Sequence, residues 1–496
     1  MATILALDIG LSSLKTIVAV SDGSCKFCES RPYPTYSPRA GWVEQDPGDW
    51  ISALKESVSA IPTDLKKSID AISFSGHMSS VLIINEEGAP ITKCLTLTDT
   101  RGYENLGDFG KLEKRSIEIT GNGLGATHWV LKVHWLLKNI ANSKAAYKVL
   151  FAKDYLRSYI CGHAATEYTD CGNTGLMDYS SLDWDEQAII FSGLPRKLLP
   201  DIHKPYDKAG LILPDKAKEL GLRQDTLVFF GGADMACGAL GSGINDEGGD
   251  VAITLGSCAT MLTTINSKID KKLGIGKISF HPYIFPGSLY GLGSHFTGGL
   301  GANWFSGLFR GDMLKPNYDE LQKLAFEVEQ VPPGCEGLIM LPFLVGSGSP
   351  HNKGTDRGAF IGMTLSTTRG ALFRSVLEGI AFNLLETEYV FEEMANKELK
   401  LFIGGGGIKI KPWPEIIADV FGRNITFLND IDVSTWGAIR IGAFGLGAID
   451  NIYPKLRKDE NQIIKFNKKN HETYREKFKN FRSCYKDISD WLERQS

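Results

Sequence analysis

TILALDIGLSSLKTIVAV, residues 3–20, is two apolar runs on either side of Asp8-Ile9-Gly10-Leu11-Ser12-Ser13. The pattern predicts a β-hairpin whose turn is built from glycine and hydroxyls, with one carboxylate at the end of the first strand. Such a turn can offer backbone N–H groups and hydroxyls to a phosphate. Asp8 could then hold a magnesium ion by way of water. Standing alone, the stretch would read as a turn that uses Asp and Gly for their conformations.

It does not stand alone. DVAITLGSCATMLTTI, residues 250–265, repeats the pattern with Thr254 in the place of Asp8 and Gly256 in the place of Gly10. Between the two lies GSGINDEGG, residues 241–249, which reads as a hinge. Two halves that each open with strand, glycine turn and strand predict a duplicated α/β domain. Each half alternates strands and helices, as a mixed sheet flanked by helices does. The expected division is 1–245 and 246–496, with a cleft between the two domains.

Just before the second hairpin comes LVFFGGADMACGALGSG, residues 227–243: a short apolar strand, a glycine stop, Asp234, then small residues suited to a tightly packed helix. Asp234 reads either as a plain helix N-cap or as a carboxylate at a strand end, where open α/β sheets place their ligands. Earlier, the strand AISFS leads into Gly76-His77-Met78-Ser79-Ser80, and Asp99-Thr100-Arg101 follows another short apolar run. His77, Met78, Asp99 and Arg101 could line a cleft, yet taken singly each is an ordinary structural residue. In AGWVEQDPGDW (40–50), Asp46-Pro47 reads as a helix start. Later, GGLGANW (298–304) and LFIGGGG (401–407) supply further glycine loops. Four consecutive glycines permit the close backbone approach that a phosphate or ribose requires. A third such loop in one chain is much stronger evidence than one.

The composition excludes several classes. Lys+Arg 54 against Asp+Glu 58 gives a net charge of −4, which leaves no basic footprint for nucleic acid or an anionic membrane. No apolar run reaches the ~18–20 residues of a membrane span. The N-terminus lacks the basic region of a signal peptide. Nine cysteines at irregular spacing suit reduced thiols, so a cytoplasmic protein is expected. Cys25 and Cys28 have CxxC spacing without a second pair, which reads as chance. From Lys455 the chain turns basic, and Phe478, Phe481, Tyr485, Ile488, Trp491 and Leu492 fall at helical spacing. That predicts an amphipathic C-terminal helix packed on the second half rather than an RNA-binding tail.

In this order the motifs resemble those of the FGGY carbohydrate kinases, and within that family its xylulokinase members. DIGLSS (8–13) is similar to the first phosphate motif, GGADMACGALGSG (231–243) to the catalytic motif, and LGSCAT (255–260) to the second phosphate motif. RGAFIGMTLSTTRGALFRSVLEGIAF (357–382) resembles the C-terminal signature and GGGGIKIKPWPEIIADVFG (404–422) the adenosine motif. The resemblance implies two actin-like (ribonuclease H-like) domains and ATP-dependent phosphorylation of a small ketose or polyol. It implies Asp234 as general base, and His77, Met78, Ser79, Asp234 and Met235 around the sugar. It implies Asp8 on Mg2+, and Asp8, Gly10, Ser12, Ser13, Gly256, Ser257, Gly299, Gly405 and Gly406 around ATP. A homodimer is one assembly it allows.

The sequence also departs from the xylulokinase pattern. The substrate loop is SGHMSS where SGQMHG is usual, and Met235 stands where Asn is usual. Ser79 reaches less far than a histidine and Met235 donates nothing, so D-xylulose is expected to be a poor substrate. The rival reading is an ATP-binding actin-like protein, or a degenerate kinase, with a regulatory role. A carboxylate at position 234 has no purpose in such a protein.

Overall fold

The structure is a computed structural model that describes residues 1–495 apart from 104–108, 126–127, 141–142, 267–268, 309–317, 429–431 and 454–462. Two compact units divide the chain. The first gathers Met1–Asp246, Phe280–Tyr290 and Asp432–Leu456; the second gathers Glu247–Ser279, Gly291–Ile431 and Arg457–Ser496. The chain thus crosses between units more often than a plain division at 245/246 gives.

The first unit is built on a seven-stranded sheet: β1 (Thr3–Ile9), β2 (Ser13–Val20), β3 (Cys25–Pro32), β4 (Ile69–Gly76), β5 (Lys208–Leu211), β6 (Leu227–Phe229) and β7 (Gly232–Ala233). Their order is β5-β6-β4-β1-β2-β3, with β7 also on β4. The first hairpin forms as predicted, antiparallel, with Ile9 opposite Leu14 and Asp8 opposite Lys15. On its other edge β1 runs parallel to β4. All seven residues of β1 are buried, which a strand covered on both faces requires. Leu5, Leu7 and Ile9 enter one core with Trp50, Leu54, Tyr155 and Leu156. These come from the helices Pro47–Ala60 and Ala152–Cys161. The first of those helices starts where the sequence placed it, with the Asp46 side chain accepting from Gly48 N.

Against the sheet's other face lie the helices Asp234–Gly241 and Val433–Gly445. Their backbones nearly touch. A Cβ on Gly241 would sit 1.9 Å from Val433 O, and one on Gly437 would sit 2.0 Å from Cys237 O. Neither position tolerates a side chain, so these two glycines serve close helix packing. That packing draws residues 432–456 into the first unit.

A second seven-stranded sheet repeats the plan with β8 (Asp250–Leu255), β9 (Ala259–Ile265), β10 (Ser279–Pro282), β11 (Leu289–His295), β12 (Lys400–Gly404), β13 (Ile425–Phe427) and β14 (Ile463–Ile464). The order is β10-β11-β9-β8-β12-β13-β14. Here β8 and β9 form the second hairpin, with Leu255 opposite Ala259, and β8 runs parallel to β12. The run β9-β8-β12-β13 has the strand directions of β2-β1-β4-β6, and Thr254 takes the place of Asp8 one residue before the strand's end. The duplication read from the sequence is thus a duplicated topology.

The C-terminal helix, Lys468–Glu493, packs through Tyr474, Phe478, Phe481 and Tyr485. Trp491, expected on the same stripe, is 52% exposed. Ser489 fills the buried position there and donates to Asp356 Oδ1 at 2.7 Å. The start of the basic stretch at Lys455 lies outside the described residues.

Candidate active site

The turn of the first hairpin is pinned from behind. The Gly10 carbonyl accepts from Tyr33 Oη. The Leu11 carbonyl accepts from Gln45 Nε2 at 2.8 Å and Thr35 Oγ1 at 2.8 Å, and the Ser12 carbonyl from Tyr33 N at 3.1 Å. A planar trans peptide points its N–H opposite to its C=O. The amides of Leu11, Ser12 and Ser13 are therefore turned away from that support, as an anion-binding nest needs. Leu11 and Ser12 are exposed.

Asp8 lies at the root of this turn, 3% exposed. Its Oδ2 accepts from Ser434 Oγ at 3.0 Å and lies 3.5 Å from Lys15 Nζ, while Oδ1 is buried and has no hydrogen-bond partner among the described residues. Burial raises the carboxyl above its ordinary value; Lys15 opposes this and Asp432 adds to it. Lys15 also pairs with Asp432 at 2.6 Å, and Ser434 donates to Asp432 at 2.8 Å. Sequence reasoning missed Lys15, Asp432 and Ser434. The hairpin register could have found Lys15, which sits directly across from Asp8. Ser434 is 426 residues away from Asp8, and no local signal could have found it.

Asp234 is the first residue of its helix. The N-cap is Ala233, with no side-chain cap, so the plain N-cap reading of Asp234 is not what forms. Its carboxylate accepts instead from Met235 N at 2.8 Å and is held also by the Met78 amide. Burial, then the charge of Asp8, raises its pKa from 3.8 to about 7. The preceding peptide is fixed as well: Ala233 N donates to Thr169 Oγ1 at 2.8 Å, and Thr169 Oγ1 donates to Glu167 at 2.8 Å.

The loop 77–80 leaves β4 beside this carboxylate. Both ring nitrogens of His77 are buried without a partner, and burial, with Lys132 nearby, depresses its pKa to about 3. The ring is therefore neutral, and it lies edge-on to Trp50 at 6.4 Å. Ser79 is fully buried at φ 59°, in the left-handed region, and its hydroxyl accepts from Asn173 Nδ2. Met78 is also buried. Of the five residues expected around a sugar, Asp234 and Met235 are partly exposed while His77, Met78 and Ser79 are buried.

The second unit gathers its glycine loops around the second hairpin. The Gly256 carbonyl accepts from Gly299 N at 2.7 Å, and the Ser257 carbonyl accepts from Gly298 N at 3.1 Å and Leu300 N at 2.9 Å. The amides that follow these carbonyls, of Ser257 and Cys258, are turned away as in the first hairpin, and both residues are exposed. On the hairpin's other side Gly405, at φ 90°, packs so closely that a Cβ would lie 2.7 Å from Leu255 O. Gly406 opens the short turn Gly406–Lys409, and a Cβ there would meet nothing within 4 Å. The structure thus brings Gly256, Ser257, Gly299, Gly405 and Gly406 together.

The pattern of the FGGY family of carbohydrate kinases matches this chain twice, its N-terminal domain over residues 3–241 and its C-terminal domain over residues 251–446. The chain belongs to the FGGY family of carbohydrate kinases. As an FGGY member it is a sugar phosphotransferase, and membership implies the use of ATP. A xylulose kinase of Lactococcus lactis subsp. lactis (strain IL1403) is 30% identical, over 99% of this chain and 98% of that protein. A gluconokinase of Bacillus subtilis (strain 168) is 27% identical, over 90% of this chain and 88% of that protein. Among solved structures, a ligand-bound xylulose kinase from Lactobacillus acidophilus superposes with a TM-score of 0.89 at 22% identity, covering 100% of both chains. That similarity shows the FGGY kinase fold of two α/β domains. Among the described residues, no helix is long and apolar enough to cross a membrane.

Proposed function

We propose that this FGGY kinase transfers the γ-phosphoryl group of ATP to a hydroxyl of a small ketose or polyol, with Asp234 as general base. The observation that carries this reading is the Asp234 carboxylate, partly exposed at a strand end and poised at a pKa of about 7. A base tuned near the working pH is well matched to taking a hydroxyl proton. The sugar oxygen attacks the γ-phosphorus, its proton passes to Asp234, and the bond to the departing ADP oxygen breaks. Phosphoryl transfer asks the protein mainly for positioning and charge stabilisation. The amides of Gly10–Ser13 and of Gly256–Cys258 meet phosphate oxygens, with Gly299 supporting the second turn. Gly405 and Gly406 meet the α-phosphate and ribose.

The first unit takes the sugar; the second takes most of the nucleotide. Asp8 suits a magnesium ion held largely through water, because its Oδ1 is an acceptor left without a partner. The ion, when bound, neutralises phosphate charge. Lys15, Asp432 and Ser434 fix the Asp8 side chain for that task.

Met78 and Met235 present an apolar wall, and the Ser79 hydroxyl is taken by Asn173. A sugar hydroxyl left buried and unpaired against that wall costs ~1–3 kcal/mol, or ~5- to 150-fold in preference. D-xylulose is accordingly a poor substrate. The test is ADP release over D- and L-xylulose, D- and L-ribulose, gluconate, glycerol, erythritol, pentitols and hexitols. Sugar-stimulated turnover is expected. None across the panel would favour a non-catalytic ATP-binding protein, and the highest kcat/KM for D-xylulose would overturn the reading of Ser79 and Met235.

A further inference from the structure

Lys132, in the helix Trp129–Asn139, is fully buried. Burying an ammonium is costly, and the usual recompense is a carboxylate. Among the described residues Lys132 has no ion-pair partner within 4 Å. It instead donates to two main-chain carbonyls, Ser79 O at 2.5 Å and Thr96 O at 2.8 Å, which belong to two separate loops. Burial lowers its pKa to about 7, with Cys94 and Asp99 opposing the shift, and the neighbouring His77 and His128 are both neutral.

Each of those carbonyls belongs to a segment with a further anchor. Ser79 holds a left-handed backbone conformation that a side chain disfavours and that persists only where its surroundings impose it. Asn173 takes its hydroxyl, and Ser80 Oγ braces the loop by accepting from Ala152 N at 2.9 Å and donating to His77 O at 3.1 Å. Thr96 N donates to Val43 O at 3.0 Å, while Val43 N donates to Asp99 Oδ2 at 2.7 Å. Lys132 ties these two segments to one another beside the main-chain bridge of Val81 and Leu95, in which each amide donates to the other's carbonyl at 2.9 Å. The loop it holds carries Met78, whose amide holds Asp234.

We propose that Lys132 is the positioning residue of the 77–80 loop: its two hydrogen bonds hold Ser79 and the 94–99 turn in the arrangement that receives the sugar. This rests on the reading of 77–80 as the substrate loop. A buried lysine whose side-chain nitrogen is spent on two loop carbonyls, where an apolar side chain would fill the same space at less cost, is what a site needing fixed loop geometry requires.

The test is steady-state kinetics of Lys132→Met with the best sugar of the panel. Methionine keeps the stem's volume and removes both donors. The sugar KM should rise at least ~10-fold while the ATP KM stays within ~2-fold, because the loop meets the sugar and Asp234 and carries no group placed on ATP. Asn173→Ala, which removes the other side-chain hold on Ser79, should raise the same KM. The double variant should fall short of the product of the two effects, because both act on one residue. A folded Lys132→Met with an unchanged sugar KM overturns the proposal, as does an equal rise in both KM values. If Lys132→Met does not fold, an unchanged sugar KM in Asn173→Ala overturns it. Met78→Ala separates the two levels of the argument. If it too leaves the sugar KM unchanged, the substrate-loop reading has failed and this inference falls with it; if it raises the KM while Lys132→Met does not, only this inference has failed.

Discussion

The pKa of Asp234 makes activity and stability move in opposite directions with pH. Burial and Asp8 place it at about 7, up from 3.8. At pH 6 roughly a tenth of the molecules carry the carboxylate a general base needs, and at pH 8 roughly nine-tenths do. kcat/KM should therefore rise about tenfold per unit up to pH 7 and level above it, since that ratio reports the free enzyme. Stability follows the other sign. Between pH 4 and 7 the folded protein keeps a proton that the unfolded chain has released, so this group's contribution to stability falls as pH rises through that window and is lost above 7. Asp234→Asn has no charge to bury. It should melt higher than the wild type at pH 8 and close to it at pH 5, while losing ~10²- to 10⁴-fold in kcat. Initial rates of ADP release across pH 5.5–8, with melting curves of both proteins at pH 5 and 8, check both halves. A flat kcat/KM over that range, or a near-normal kcat for Asp234→Asn, would refute the base assignment.

Asp8→Ala should raise the Mg2+ concentration needed for half-maximal use of ATP; a magnesium titration at fixed ATP measures it, and an unchanged titration would leave the first hairpin with a structural role alone. The same substitution removes a negative neighbour of Asp234, so the acid limb of kcat/KM should move to lower pH. Gly299→Ala places a Cβ 2.7 Å from Gly256 O, which the turn 256–258 must move to accommodate. The ATP KM should rise ~10-fold with the sugar KM unchanged, as uniform loss of nucleotide binding does. An unaltered ATP KM would take that turn out of the nucleotide site.

What the sequence made legible here is what its own local periodicity encodes. The hairpins at 3–20 and 250–265 announce themselves by apolar runs broken at a glycine turn, and their repetition predicts the shared strand order. Even the pairing of Asp8 with Lys15 follows from closing a four-residue turn. The small residues after Asp234 were readable as a packing surface, but their partner was not. Val433 and Gly437 lie far along the chain, and a glycine-rich helix gives no sign of what it will touch. Gly241, the first residue of the stretch read as a hinge, is such a contact: a Cβ there would sit 1.9 Å from a carbonyl oxygen.

The candidate site divides the same way. Asp8, Asp234 and the glycine loops were visible because their chemistry is carried by residue type: a carboxylate at a strand end, a missing Cβ beside a turn. The groups that hold them act through main-chain atoms, which every residue has. Met78 meets Asp234 with an amide, Lys132 meets Ser79 and Thr96 at their carbonyls, and Ala233 meets Thr169 with its N–H. His77 was visible in the same way, by residue type; the structure adds that its ring is buried and neutral, with neither nitrogen partnered among the described residues. A side chain's chemistry states what it can do; whether it faces a substrate is decided by the backbone that presents it. In the 77–80 loop that backbone is held in a left-handed turn by Lys132, Asn173 and Ser80, and of these only Ser80 lies within the loop motif itself.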